Sequence, residues 1–214
     1  MGKTTAGIAS LRKNYTLASF DENDALGNPI EQFGKWFDQA MECGLDEPNA
    51  MSISTVSKEG KPSSRMVLLK GFDGNGFVFF TNYNSHKAQN INDNPYACIL
   101  FFWAGLQRQV RIEGSIEKVS DHESDNYFLS RPEGSRIGAW ASPQSSIIPS
   151  RQWLEEQYWN YDRKKYIETR PDHWGGFRLI PYQFEFWQGR ENRLHDRICY
   201  LKEKENWIIK RLAP

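Results

Sequence analysis

Between residues 28 and 44 the apolar positions recur at helical spacing, with Ile30, Phe33, Phe37, Ala40 and Met41 on one face. Asn28 is a favourable N-cap, Pro29 suits the first helical position and Gly44 supplies a stop, so the pattern predicts an amphipathic packing helix. From Ala50 the period changes to two. "MSISTVS" reads as a strand, "KEGKP" as a turn and "SSRMVLLKGF" as a second strand; "DGNG" then turns into "FVFFTN". Ser85 can cap a short helix through "HKAQNINDN", ended by Pro95. The unbroken apolar run "YACILFFW" predicts a strand buried on both faces. "QRQVRIEGSIEKVS" predicts a long strand with Gly114 as a bulge or bend. Helices are expected over 121–130 and 151–168, and strands return from Gly175 to Leu212. Residues 1–27, polar and irregular, predict a mobile arm ahead of a single domain over 28–214.

Strands joined by hairpins, with helices at the ends and in one insertion, predict a mainly β fold: an antiparallel barrel with peripheral helices. There is no βαβ alternation, G-x-G-x-x-G or G-x-x-x-x-G-K-[ST], which disfavours a Rossmann or P-loop nucleotide site. Lys plus Arg equals Asp plus Glu at 27 each, with a pI near 6.9. That balance argues against a nucleic-acid or membrane-surface partner, so local basic clusters must be read as sites. No run of about 18 apolar residues predicts a membrane span, and the N-terminus lacks a secretory h-region. Cys43, Cys98 and Cys199, far apart and odd in number, predict reduced thiols and a cytoplasmic location. The four histidines show no metal-ligand spacing, so no metal is expected.

Positive charge gathers against strands in several places. "RMVLLK" carries Arg65 and Lys70, which a regular strand would put on opposite faces unless it bulges. "TNYNSHK" brings Thr81, Ser85, His86 and Lys87 to a helix N-terminus, where free N–H groups suit a phosphate. In "QRQVR", Gln109 and Arg111 share a face, and Arg111 could pair with Glu113 or with a cross-strand acid. "EFWQGRENRLHDRICY" reads as a hairpin whose second strand puts Arg193, His195 and Arg197 on one face. Strand geometry separates the two arginines by about 13 Å, which suits two anionic ligands or one extended one. Trp187 across the hairpin favours an aromatic ligand. Asp196 points the other way and reads as structural, a catalytic pair with His195 being disfavoured because adjacent strand residues face apart.

Several separated stretches together resemble the pyridoxine (pyridoxamine) 5′-phosphate oxidase family: "NPIEQFGKWF", "SSRMVLLKGF", "FFTNYNSHKAQ", "RQVRIEG", "YFLSRPEGSRIGAWASPQSS", "WGGFRL" and "FEFWQGRENRLHDR". The resemblance runs from about Leu11 to the terminal "RLAP". It implies an FMN-binding split β-barrel, a homodimer with FMN at the interface, and oxidation of pyridoxine or pyridoxamine 5′-phosphate to pyridoxal 5′-phosphate with reduction of dioxygen to hydrogen peroxide. On matching positions it implies FMN contacts from Arg65, Met66, Val67, Leu68, Leu69 and Lys70, from Phe80 and Thr81, and from His86 and Lys87. Gln109, Gln144, Ser145, Trp187 and Arg197 would complete them. Lys70, Tyr127, Arg131 and Ser135 would hold the substrate, with Arg193 and His195 over its ring as catalytic residues and Arg12 and Tyr15 on a segment that folds over it. His86 departs from a frequent Arg and Phe80 from a frequent Tyr. A histidine makes a weaker, pH-dependent phosphate contact than an arginine, so FMN affinity is expected to fall as it deprotonates. The alternatives are a non-catalytic FMN or pyridoxal-phosphate carrier, or another split-barrel flavin oxidoreductase.

Overall fold

A computed structural model of the chain describes Leu11, residues 13–161 and residues 166–214, so Arg12 lies outside the described residues. Contacts divide the chain into two compact units: residues up to Pro48 with 102–111 and 183–214, and residues 49–101 with 112–182.

The first unit begins with α1 (Pro29–Glu42). Asn28 caps it, accepting from the Ile30 N–H at 2.9 Å, and Gly44 leaves it with φ +63°. The buried face is rotated from the expected one: Phe33, Trp36 and Ala40 are buried, Phe37 is half-buried and Met41 is exposed. Trp36, at i+3 from Phe33, wins the face because its ring is held between Phe20 (centroids 4.9 Å) and Phe186 (5.2 Å). Phe20 belongs to the segment expected as an arm and is buried. The last part of β7 (Trp174–Gln188), β8 (Asp196–Glu203) and β9 (Asn206–Arg211) make an antiparallel meander, with Trp187 opposite Arg197. The predicted hairpin forms, with a correction. β8 starts only at Asp196, so Arg193 and His195 lie in the connection rather than on a strand face. Asn192 (φ 54°) and Arg193 (φ 62°) are left-handed, which breaks the i, i+2, i+4 alternation at its first member.

The second unit holds β1 (Ala50–Val56), β2 (Pro62–Leu68), β3 (Gly71–Asp73), β4 (Gly76–Asn82), α2 (His86–Asp93), α3 (Asp121–Ser130), α4 (Glu133–Ala141) and α5 (Arg151–Asn160). It also takes residues 96–101 of β5 (Tyr96–Trp103), 112–118 of β6 (Arg108–Lys118) and 174–182 of β7. The strand order is β2-β1-β5-β6-β7-β4-β3, with β1 antiparallel to β2 and β4 to β7. Its core is Met51, Ile53, Phe77, Phe79, Ile99, Phe101, Phe128, Ile137, Phe177 and Leu179.

Several expectations are revised. The stretch read as one strand breaks after Leu68, so Lys70 escapes the alternation that would have turned it away from Arg65. β5 alternates instead of being buried on both faces: Tyr96 and Phe102 are more than half exposed while Ile99 and Phe101 are fully buried. At Gly114 the chain makes a close approach, since a Cβ there would stand 2.3 Å from the Ile180 carbonyl oxygen. α4 is not among the expected helices; Pro132 immediately precedes its first turn. Of the helix expected over 151–168, α5 forms Arg151–Asn160, while residues 162–165 lie outside the described residues.

Gly76 has φ +135°, and a Cβ would lie 2.0 Å from the Leu179 carbonyl oxygen. Gly76→Ala should therefore lose at least about 2 kcal/mol in urea unfolding at unchanged m. Gly74→Ala, with nothing within 4 Å, should stay near wild type.

Candidate functional site

A cavity of about 1050 Å³ opens in the second unit. Arg65 to Leu68 from β2, Lys70 after it and Phe80 to Asn82 from β4 form part of its wall. His86 and Lys87 enter from the start of α2, Tyr127 from α3, and Arg131, Ser135, Gly138 and Ala139 from α4 and its approach. Ser142, Gln144, Ser145 and Trp174 complete it. The lining holds three arginines and lysines from the strand side and helix start (Arg65, Lys70, Lys87), with Arg131 and His86, and not one Asp or Glu. A cation cluster without a counter-charge is the signature of an anion site.

How these cations are held shows what they await. The buried Lys87 ammonium donates to three neutral oxygens: Thr81 Oγ1 at 2.9 Å, Gln144 Oε1 at 3.2 Å and Ser85 Oγ at 3.3 Å. Burial, with the Arg65 charge behind it, pushes its pKa down to about 8. The Ser85 hydroxyl does not cap α2, which leaves the first-turn N–H groups of that helix to another acceptor. Arg65 is anchored in the same way, donating to Thr55 Oγ1 (2.9 Å), Ser63 Oγ (2.7 Å) and the carbonyls of Ile53 and Ser63. Ser145, in the turn after α4, is left-handed at φ 73°. Arg131 lies over the Trp174 ring at 4.5 Å, and its Nη1 is buried with no hydrogen-bond partner among the described residues. Between these groups Phe80, Tyr127 and Trp174 stack nearly parallel, with Phe80 and Tyr127 at 3.9 Å. The cavity thus offers cations for phosphate and flat apolar surface for a ring.

Most of the residues predicted on strands β2 and β4 and helices α2 to α4 come together here. Leu69 does not: it is buried, its backbone paired with Asn49 at 2.8 and 3.1 Å. Asn82, Gly138, Ala139, Ser142 and Trp174 were missed. The inward face of α4 has no signal apart from the helix itself, and Trp174 carries none within "WGGFRL".

The remaining predicted residues sit in the first unit. Tyr15 packs edge-on to Trp187 (5.6 Å) and His195 (5.9 Å), and His195 lies 4.7 Å from Trp187. Tyr15 comes so close to Gly189 that a Cβ there would meet its ring at 2.7 Å. His195 Nδ1 accepts from the Arg190 N–H at 3.0 Å, so the neutral ring carries its proton on Nε2. Burial and then the Arg193 charge hold the His195 pKa below its ordinary value, against the opposing pull of Asp196. Arg193 itself is exposed and Gln109 is half-buried on β6. Arg197 Nε donates to Glu185 Oε1, and Arg111 Nη2 to Oε2, both at 2.7 Å. The cross-strand acid for Arg111 is therefore Glu185. Burial would raise that carboxyl, and the two arginines outweigh it and hold it below the usual range. A lone carboxylate inside "FEFW" was the signal in the sequence.

Residues 37–158 match the family described as Pyridoxamine 5′-phosphate oxidase, and residues 174–214 match its Pyridoxine 5′-phosphate oxidase C-terminal dimerisation region. A pyridoxine/pyridoxamine 5′-phosphate oxidase of Gloeothece citriformis is 57% identical over 210 residues, covering 97% of this chain and 98% of the relative. One from Cupriavidus pinatubonensis is 54% identical, covering 97% and 99%. Among solved structures, PhzG from Burkholderia lata in complex with tetrahydrophenazine-1-carboxylic acid aligns with TM-score 0.84 at 26% identity, covering 92% of this chain and 98% of that one. A pyridoxamine 5′-phosphate oxidase-related, FMN binding protein from Nostoc punctiforme aligns with TM-score 0.72 at 18% identity, covering 89% and 99%. The antiparallel split-barrel fold expected from the sequence is the one found.

Lys87 is cationic below pH 8 and neutral above it. Anion binding that draws on its charge should be complete below pH 8 and weaken by about tenfold per pH unit beyond it. Inorganic phosphate titrated between pH 7 and 9.5 should show this slope, and Lys87→Met should bind more weakly with the slope removed.

Proposed function

The chain belongs to the pyridoxamine 5′-phosphate oxidase family, and from that premise we propose that it oxidises pyridoxine 5′-phosphate and pyridoxamine 5′-phosphate to pyridoxal 5′-phosphate with FMN as cofactor. The observation that carries this reading is the cavity whose lining combines five basic side chains, no carboxylate and a stacked aromatic wall. Its volume, about 1050 Å³, is at the upper end of the roughly 300–1,000 Å³ of ordinary ligand sites, as expected for a flavin nucleotide with a second phosphorylated ring. FMN fits the residues present: Lys87 has only neutral oxygens around it, and the first turn of α2 has no side-chain cap.

Arg65, His86, Lys87, Gln144 and Ser145 hold the FMN phosphate and its neighbourhood, with Thr81 orienting Lys87 and the β2 backbone from Met66 to Leu68 toward the flavin. Lys70, Tyr127, Arg131 and Ser135 take the substrate phosphate, where the buried Arg131 Nη1 gains the acceptor it lacks. That remote contact supplies binding energy for alignment of the rings. To the flavin we assign Gln109, Trp187 and Arg197, and to the substrate ring Arg193, His195 and Tyr15. When bound, FMN would supply the two-electron acceptor for the hydride of the substrate 4′ carbon, with dioxygen, reduced to hydrogen peroxide, as the terminal acceptor.

His195, with Nδ1 engaged, can only donate toward a ligand, through Nε2–H, and its lowered pKa keeps it neutral at pH 7. Arg193 supplies a fixed positive charge and hydrogen-bond donors that would hold an oxygen substituent of the substrate ring in place. The C-terminal match to a dimerisation region supports a homodimer; in the proposed reading FMN lies at the subunit interface. A cytoplasmic location fits three free cysteines; no helix among the described residues is long and apolar enough to cross a membrane.

FMN-loaded protein given pyridoxine 5′-phosphate in air should form pyridoxal 5′-phosphate and consume dioxygen one for one. Flavin binding with no product would leave the carrier reading. Arg193→Ala should lose about 100-fold or more in kcat/KM while staying yellow; a fully active yellow variant would remove Arg193 from the chemistry. Arg197→Ala should weaken both turnover and FMN binding.

A further inference from the structure

Asp196, the first residue of β8, takes none of the roles above, yet three separate stretches of the first unit converge on it. Its Oδ2 accepts from the Phe20 N–H at 3.1 Å and from Arg190 Nη1 at 2.9 Å. Its Oδ1 accepts from Arg211 Nη1 at 3.0 Å. Arg211 is held in turn by both oxygens of Glu22, at 2.8 and 2.7 Å. Burial would raise the Asp196 carboxyl, but the Phe20 N–H and the two guanidiniums outweigh it and keep it below the usual carboxylate range.

The route from Asp196 to the active residues runs through Arg190. The Arg190 side chain binds Asp196, and its backbone N–H binds His195 Nδ1. Residues 190 and 196 thus close a loop that contains the two left-handed residues Asn192 and Arg193. Such backbone is unfavourable for residues with a Cβ and persists only where the surroundings fix it. The same carboxylate reaches the segment carrying Tyr15, whose ring packs on His195, through Phe20 and through Arg211 with Glu22.

We propose that Asp196 is a positioning residue: it closes the loop through Arg190, so that His195 keeps its Nε2–H tautomer and Arg193 its backbone, and ties that loop to the segment bearing Tyr15. Its catalytic meaning rests on the assignment of Arg193 and His195 to the substrate. The tautomer does not.

The test uses FMN-loaded full-length protein labelled with 15N-histidine. With four histidines in the chain, a His195→Gln spectrum identifies the His195 signals. Wild type should show an unprotonated Nδ1 and a protonated Nε2. Asp196→Ala should relax this to a tautomer mixture and speed proteolysis ahead of Phe20, with kcat/KM down about 100-fold and FMN content unchanged. Asp196→Asn, which keeps one acceptor oxygen, should fall between. Should Asp196→Ala fail to fold, Arg190→Ala cuts only the link to the loop and should give the same histidine change. A wild-type His195 spectrum in either folded variant overturns the proposal. The spectrum needs no turnover, so a wild-type protein that makes no pyridoxal 5′-phosphate would sink the proposed activity while the positioning role is still decided.

Discussion

The cavity is organised by one electrostatic constraint: cations are gathered on it with no acid to balance them. Buried cations without counter-charges are costly, and the chain meets that cost with neutral oxygens. Thr81, Ser85 and Gln144 surround Lys87, while Thr55, Ser63 and two carbonyls surround Arg65. These oxygens hold the side chains in place without cancelling their charge, so the attraction for an anion survives. A carboxylate at any of these positions would give a more stable free protein and a weaker site.

The first unit solves the opposite problem. There the arginines are bridged by acids: Glu185 joins Arg197 to Arg111, and Asp196 joins Arg190 to Arg211. Each carboxylate sits on a strand or at its start and draws on donors from neighbouring stretches, so the charges serve as fasteners. Arg193, in the same loop region, stays exposed. The division of labour is chemical: neutral acceptors where a ligand must supply the negative charge, and carboxylates where side chains must be aimed.

The position of Lys70 shows how such a site depends on breaks in regular structure. A continuous strand would have turned it away from Arg65, and the end of β2 at Leu68 releases it. Ser145 and Arg193 follow the same rule, each carried by a left-handed backbone that no strand or helix would allow. Several of the groups assigned above to ligands sit where periodicity fails. Periodicity is what a reading of the chain relies on, so these were the residues whose placement was hardest to foresee.

The sequence by itself determined the hairpins of the strand order's edges, the capped helix after Asn28, and the suitability of "SSRMVLLKGF" and "TNYNSHK" for an anion. Those follow from local chemistry: alternation, turn residues, a cap, and basic side chains without neighbouring acids. Only the tertiary structure decided that Trp36 rather than Met41 faces the core, that β5 exposes Tyr96 and Phe102, and that α4 is a helix at all. It alone decided that Arg193 and His195 leave the strand and that Asp196 and Glu185 act as bridges. Each of these depends on groups far apart in the chain, such as Phe20 with Asp196 or Arg111 with Glu185. A local pattern carries no information about which distant donor will arrive.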